Sequence, residues 1–230
     1  MSVQTVTSRV PEILAILDSL EAGERRLLRD VSWEDYEQLL DDLGGGYAPR
    51  IYYDEGTLEL MAPLFIHERD KELTSILVRV LAEETGLDVL AAGSTTFKRK
   101  SLRKGAEPDA CFYIRNIDRV AGKEKIDLHS DPPPDLVIEI DVTHSQRSKM
   151  KTYARFGVPE FWRFREKRFE IFELAGDIYV ARESSPAFPI LRAEDIGDLI
   201  EQNRLKGDIA AANSFRKWAR ERIKQKLEHK

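Results

Sequence analysis

Two carboxylates placed two residues apart, Glu139 and Asp141, interrupt a run that otherwise reads as pure core, Asp135 to Thr143 (D-L-V-I-E-I-D-V-T). Three prolines, Pro132 to Pro134, lead into the run, and a polar turn at His144 and Ser145 follows it. Such a Val- and Ile-rich stretch predicts a strand deep in a sheet. Alternation then sends Leu136, Ile138, Ile140 and Val142 to one face and Val137, Glu139, Asp141 and Thr143 to the other. Removing an unpaired carboxylate from water costs roughly several kcal/mol, so two of them together require a cation, a proton or a metal. That requirement is the mark of a site at the carboxyl end of a strand.

The elements that must hold these carboxylates can be read outward from them. A helix is expected over Pro11 to Leu20, and Ser32 with Asp35 resembles a capping box that opens a helix from Trp33 to Leu43, ended by Gly44-Gly45-Gly46. Arg50 to Asp54 and Thr57 to Met61 flank Glu55-Gly56, a hairpin signal. Pro63 opens a long helix that runs to Thr85 and stops at Gly86, with Leu73, Ile76, Leu77, Val80 and Leu81 on one face and His67, Glu68 and Glu72 near its start. Leu87 to Ala92 and Ser94 to Lys98 read as strands, followed by a basic loop of Lys98, Arg99, Lys100, Arg103 and Lys104. A strand begins at Pro108-Asp109 and runs to Ile114, and an irregular insertion fills Arg115 to Pro134. Beyond the acidic strand come a helix from Ser145 to Gly157, a meander over Glu160 to Phe164, Arg168 to Leu174 and Ile178 to Arg182, and two helices, Glu194 to Gln202 and Asp208 to Lys226. The last two carry no obvious catalytic residue and are expected to be peripheral.

Composition bounds the possibilities. At 230 residues, 42% apolar and 33% charged, the chain can bury one substantial core. A division into an N-terminal extension (1–31), a central domain (32–192) and a C-terminal helical extension (193–230) is expected. A single cysteine, Cys111, excludes an internal disulfide framework, and the lack of a long apolar run or a leader points to a cytoplasmic protein. The net charge of −5 argues against broad electrostatic affinity for nucleic acid, so any such role must be local. His67, His129, His144 and His229 are too scattered to suggest zinc.

The order of these elements resembles the core of the PD-(D/E)XK nuclease superfamily. Longer stretches are more specific: E-P-D-A-C-F-Y-I at Glu107 to Ile114, P-P-P-D-L-V-I-E-I-D-V-T at Pro132 to Thr143, and Y-A-R-F-G-V-P-E-F-W-R at Tyr153 to Arg163. Together with Met61 to Glu68 and Gly93 to Arg99 they resemble the Uma-two family of restriction-type endonucleases, over roughly Ser32 to the C-terminus. The resemblance implies a mixed α/β restriction-endonuclease-like fold and Mg²⁺- or Mn²⁺-dependent hydrolysis of DNA. It implies Asp109 and Glu139 as metal ligands, with Asp141 a possible third. Where the superfamily places a lysine two residues after the Glu, this chain has Asp141. The resemblance moves the lysine to the next helix, at Lys149, one turn from Tyr153, with Lys151 in competition. Glu72 matches the acidic residue the superfamily often carries on its first helix, and Glu68 competes; His67 is a candidate to face the substrate. Cutting both strands of a duplex suggests a symmetric homodimer, with phosphates met by Lys98, Arg99 and Lys100.

Each of these residues also has a structural reading. Asp109 could cap a strand or turn, Glu139 could pair with Arg155 or Arg163, Asp141 could cap the amides near Ser145, Lys149 could be solvated and His67 could cap its helix. The alternative function is a nuclease-fold module without catalysis that binds nucleic acid or a protein.

Overall fold

Glycines, prolines and caps set most element boundaries where the sequence puts them. The computed structural model describes residues 8–44, 49–140, 146–165 and 168–228. In chain order the elements are α1 (Val10–Asp18), β1 (Arg25–Leu28), α2 (Trp33–Leu43), β2 (Arg50–Asp54), β3 (Thr57–Met61), α3 (Phe65–Thr85), β4 (Leu90–Ala91), β5 (Phe97–Arg99), β6 (Lys104–Ala106), β7 (Ala110–Tyr113), α4 (Ile117–Val120), β8 (Leu136–Ile140), α5 (Gln146–Phe156), β9 (Glu160–Arg165), β10 (Arg168–Ala175), β11 (Ile178–Arg182), α6 (Ala193–Asn203) and α7 (Asp208–Glu228). Ser32 caps α2 by accepting the Asp35 N–H at 2.9 Å. Glu55 and Gly56 both take positive φ, 46° and 95°, the pair of angles a tight two-residue hairpin turn requires. Gly86 ends α3 in the left-handed conformation, and the next N–H, that of Leu87, reaches back to Ala82 O.

Two sheets result. The larger runs β11-β10-β9-β8-β7-β4, and the smaller runs β1-β3-β2-β6-β5. In the larger sheet β8 is central, antiparallel to β7 and parallel to β9. Its Leu136, Ile138 and Ile140 face a core shared with α3, α6 and α7. Val137, on the opposite face, belongs to a second buried cluster with Cys111, Phe161, Tyr153 and Phe156 that also takes in Tyr52, Phe97 and Ala106 of the smaller sheet. The far face of the smaller sheet carries Ile51, Tyr53, Leu58 and Leu60 against α1 and α2. The smaller sheet therefore closes over the face of β8 that carries Glu139.

Three features depart from the expectations. The strands expected over Leu87 to Ala92 and Ser94 to Lys98 are shorter, at Leu90–Ala91 and Phe97–Arg99, because the stretch between them turns through Gly93 at φ 60°. The basic loop is a hairpin, β5 to β6, whose return strand Lys104–Ala106 pairs with β2. The helices expected to be peripheral are core elements: Phe215, Ala211 and Ala219 of α7 are fully buried, and α7 lies along α3.

Candidate active site

The register of β7 on β8 decides where the first carboxylate falls. Cys111 stands opposite Val137 and Ala110 opposite Ile138, so Asp109 comes level with Glu139, on the face shared with Val137 and Cys111. Both acids are buried, at 7% and 2% exposure. Asp109 Oδ2 accepts the Ile140 N–H at 2.7 Å, which ties the entrance of β7 to the exit of β8. Its Oδ1 lies 3.4 Å from Arg50 Nε. Arg50, from β2 across the inter-sheet space, also meets Glu107 at 3.5 Å and Glu68 of α3 at 3.2 Å.

Helix α5 supplies the partners of Glu139. Lys149 Nζ donates to Oε2 at 2.8 Å, and Tyr153 Oη donates to Oε1 at 2.6 Å; one helical turn separates the two donors. Tyr52 Oη and Thr152 Oγ1, 2.8 Å apart, fasten α5 to the smaller sheet. Burial pushes the Glu139 carboxyl up to about 7, with Lys149 pulling down and the nearby Asp109 pushing up. Burial works against the charge on Lys149, but Glu139, Asp109 and Glu59 outweigh it and raise its pKa, so the side chain is an ammonium at neutral pH. Burial and Glu139 hold Tyr153 as a neutral phenol. Glu107 is likewise lifted to about 7 by burial, against the charge of Arg50 and a hydrogen bond from the Ile51 N–H.

The donor chemistry fits a hard divalent cation. Asp109 and Glu139 offer adjacent carboxylates, and a hydrogen bond to each oxygen leaves a lone pair free. Mg²⁺ commonly uses one or two carboxylates and keeps several waters, so two ligands are enough for it. Among the described residues no three His, Cys, Asp or Glu side chains converge as a ready-made cage.

The sequence profile of the family described as "Uma2: Putative restriction endonuclease" matches residues 33–200. The chain belongs to the Uma2 family. A crystallised protein from Anabaena variabilis ATCC 29413, described as a "putative nuclease belonging to DUF820", is similar in fold, with a TM-score of 0.55 and 14% identity. The match covers 74% of this chain and 99% of that one; at this identity the likeness is one of fold, and the fold is restriction-endonuclease-like. No curated protein matches the chain. The Uma2 match takes in every residue of the cluster just described and ends within α6, while the buried face of α7 lies beyond it.

Set on this Uma2 framework, the candidates separate. Asp109, Glu139 and Lys149 come together, whereas Lys151 is exposed. Glu68 reaches the site through Arg50, whereas Glu72 is half exposed and lies 3.6 Å from Arg79. His67 is half-buried in the first turn of α3, its N–H donating to Leu64 O. Arg163 pairs with Glu170 rather than with Glu139, and Arg155 is exposed. Asp141 lies outside the described residues. Lys98 and Lys100 approach Glu37 at 3.1 and 3.7 Å, and Arg99 donates to Leu128 O at 2.7 Å and to Arg155 O at 3.3 Å beside the Phe156 ring. Sequence reasoning missed Arg50, an ordinary residue at the head of a hairpin. It also missed Glu107, although its position two residues before Asp109 puts it on the same side of an extended chain.

Proposed function

We propose that this Uma2 protein is a Mg²⁺- or Mn²⁺-dependent endonuclease that hydrolyses phosphodiester bonds of DNA. One observation carries the reading: Asp109 and Glu139 lie level on neighbouring strands with the Lys149 ammonium fixed on Glu139. Asp109 and Glu139 would hold the ion, with Asp141 beside them in sequence as a further donor. A bound divalent ion would make a water acidic and offset phosphate charge. Lys149 favours the ionised form of Glu139 against the effect of burial and brings a second positive charge beside a scissile phosphate, where negative charge grows in the transition state. Tyr153 fixes the orientation of the Glu139 carboxylate. Lys98, half-buried, and Lys100, exposed, on the β5–β6 hairpin are proposed to contact phosphates, and a symmetric dimer is proposed for cutting both strands.

A second reading has its own support. The four carboxylate oxygens of Asp109 and Glu139 are already engaged by protein donors, which suits a nuclease fold that binds without cutting. Incubating the purified protein with several nucleic acids and Mg²⁺ or Mn²⁺ separates the two. Cleavage that disappears in Glu139→Ala is expected. Cleavage that survives that substitution removes this site from the reaction, and tight binding with no cleavage favours the binding module.

A further inference from the structure

Arg50 has no task in the hydrolysis as described, yet it is 8% exposed and joins three elements. Its guanidinium meets Glu68, Asp109 and Glu107 at 3.2, 3.4 and 3.5 Å. Charge-assisted N–H···O bonds ordinarily close to about 2.7–2.9 Å, as Lys149 does on Glu139 at 2.8 Å. None of the Arg50 contacts closes that far, and each goes to a different carboxylate. The planar fork with which arginine grips two oxygens of one anion is thus left unused. Charge balance points the same way. Among the described residues Glu59, Glu68, Glu107, Asp109 and Glu139 face Arg25, Arg50, Lys71 and Lys149, so five acidic side chains already meet four basic ones and little net attraction remains for a divalent ion.

We propose that Arg50 is a resident counter-cation that holds Asp109 when no substrate is bound and turns its fork to a phosphate when nucleic acid enters, freeing Asp109 for the metal. Metal uptake and substrate binding then strengthen each other, each by the same factor, because coupling between two ligands is reciprocal. This deepens the nuclease reading and rests on it.

The test is a Mn²⁺ titration, read as free ion by electron paramagnetic resonance, on wild type and Arg50→Gln, with and without a short phosphorothioate duplex. The duplex with the Asp109→Asn protein serves as the blank for ions held by the duplex itself. Without duplex, Arg50→Gln should bind Mn²⁺ at least about tenfold more tightly than wild type. The duplex should tighten ion binding by wild type by a similar factor and hardly change that of Arg50→Gln. Equal affinities of the two proteins without duplex, or a duplex effect that persists in the variant, overturn the inference while leaving wild-type cleavage as support for the nuclease. If Arg50→Gln fails to fold by circular dichroism, Arg50→Lys replaces it. That variant keeps the charge without the fork and should lose the duplex effect, and full retention of the effect overturns the inference. A wild type that neither binds Mn²⁺ with duplex nor cleaves overturns the nuclease reading and this inference together.

Discussion

Glu139 is a carboxylate that the fold can keep charged only with help. It is 2% exposed, and its two oxygens rest on one ammonium and one phenol from the same helix. Replacing Lys149 by Met strands the acid, and breaking a buried pair from one side commonly costs about 3–5 kcal/mol. The dependence on pH follows from the direction of the shift. Glu139 already titrates near 7, above its ordinary 4.5, with Lys149 restraining it, so the variant's folded state holds the proton more tightly than the unfolded chain does. In metal-free Lys149→Met the loss of stability should therefore be small below pH 4.5 and grow as the pH rises through 7 and beyond. Urea denaturation in chelator at pH 5 and pH 8 measures it. A loss that is equal at both pH values, or larger at pH 5, would mean that Lys149 supports α5 by packing and not by charge. At this scale the sequence was most informative where burial and polarity conflict. Glu139 stood out inside an apolar strand, whereas Arg50, at the head of a hairpin, gave no sign of the three carboxylates it meets across 18 to 59 residues of chain.

Elements with their own punctuation were legible, and those made by partners were not. Helix α2 and the β2–β3 hairpin fall where the Ser32 cap and the Glu55-Gly56 turn put them. Strand β6 has a lysine, a glycine and an alanine, no β-branched residue among them, and exists because β2 and β5 accept it on either side. Gly105 is the reason it can lie there. A Cβ at that position would come within 2.0 Å of Tyr36 Oη, so the ring of Tyr36, stacked on Tyr53 at 4.7 Å, occupies the space a side chain would need. Gly105→Ala is expected to destabilise the protein by about 1–3 kcal/mol through overpacking, read as a shift in the urea midpoint. Because β6 leads directly to Glu107 and Asp109, the same substitution should also weaken Mn²⁺ binding. An unchanged midpoint would show that Tyr36 can turn aside at little cost.

On the scale of the molecule, the core does not stop where the family match does. Residues 33–200 carry the Uma2 profile, but α7 completes the layer over α3 and β8 with Phe215 and with ion pairs from Arg216 and Arg220 to Glu84. Phe215→Ala should cost about 3–5 kcal/mol and lower the melting temperature by roughly 10 °C. Deleting residues 208–230 should abolish the cooperative thermal transition, because it bares an apolar face of α3. A truncated protein that melts sharply near the wild-type temperature would mark α7 as an appendage. Sequence patterning could not reveal this role: the last stretch of the chain is dominated by basic side chains, and only the small and aromatic residues at 211, 215 and 219, spaced four apart, trace the buried stripe.

The β8–β9 pair has a consequence for how the molecule comes into being. It is the one parallel pairing among the described strands, and parallel neighbours cannot be joined by a tight turn; the chain must cross over the sheet, and α5 is that crossover. The donors that make a charged Glu139 tolerable therefore travel on the very segment that allows β9 to take its place. Any partly assembled chain with β8 covered but α5 undocked must leave that acid wet or protonate it. The segment that lets β9 pair with β8 is thus also the segment that carries both side-chain partners of Glu139, so the sheet pairing and the partnering of that acid depend on one stretch of chain.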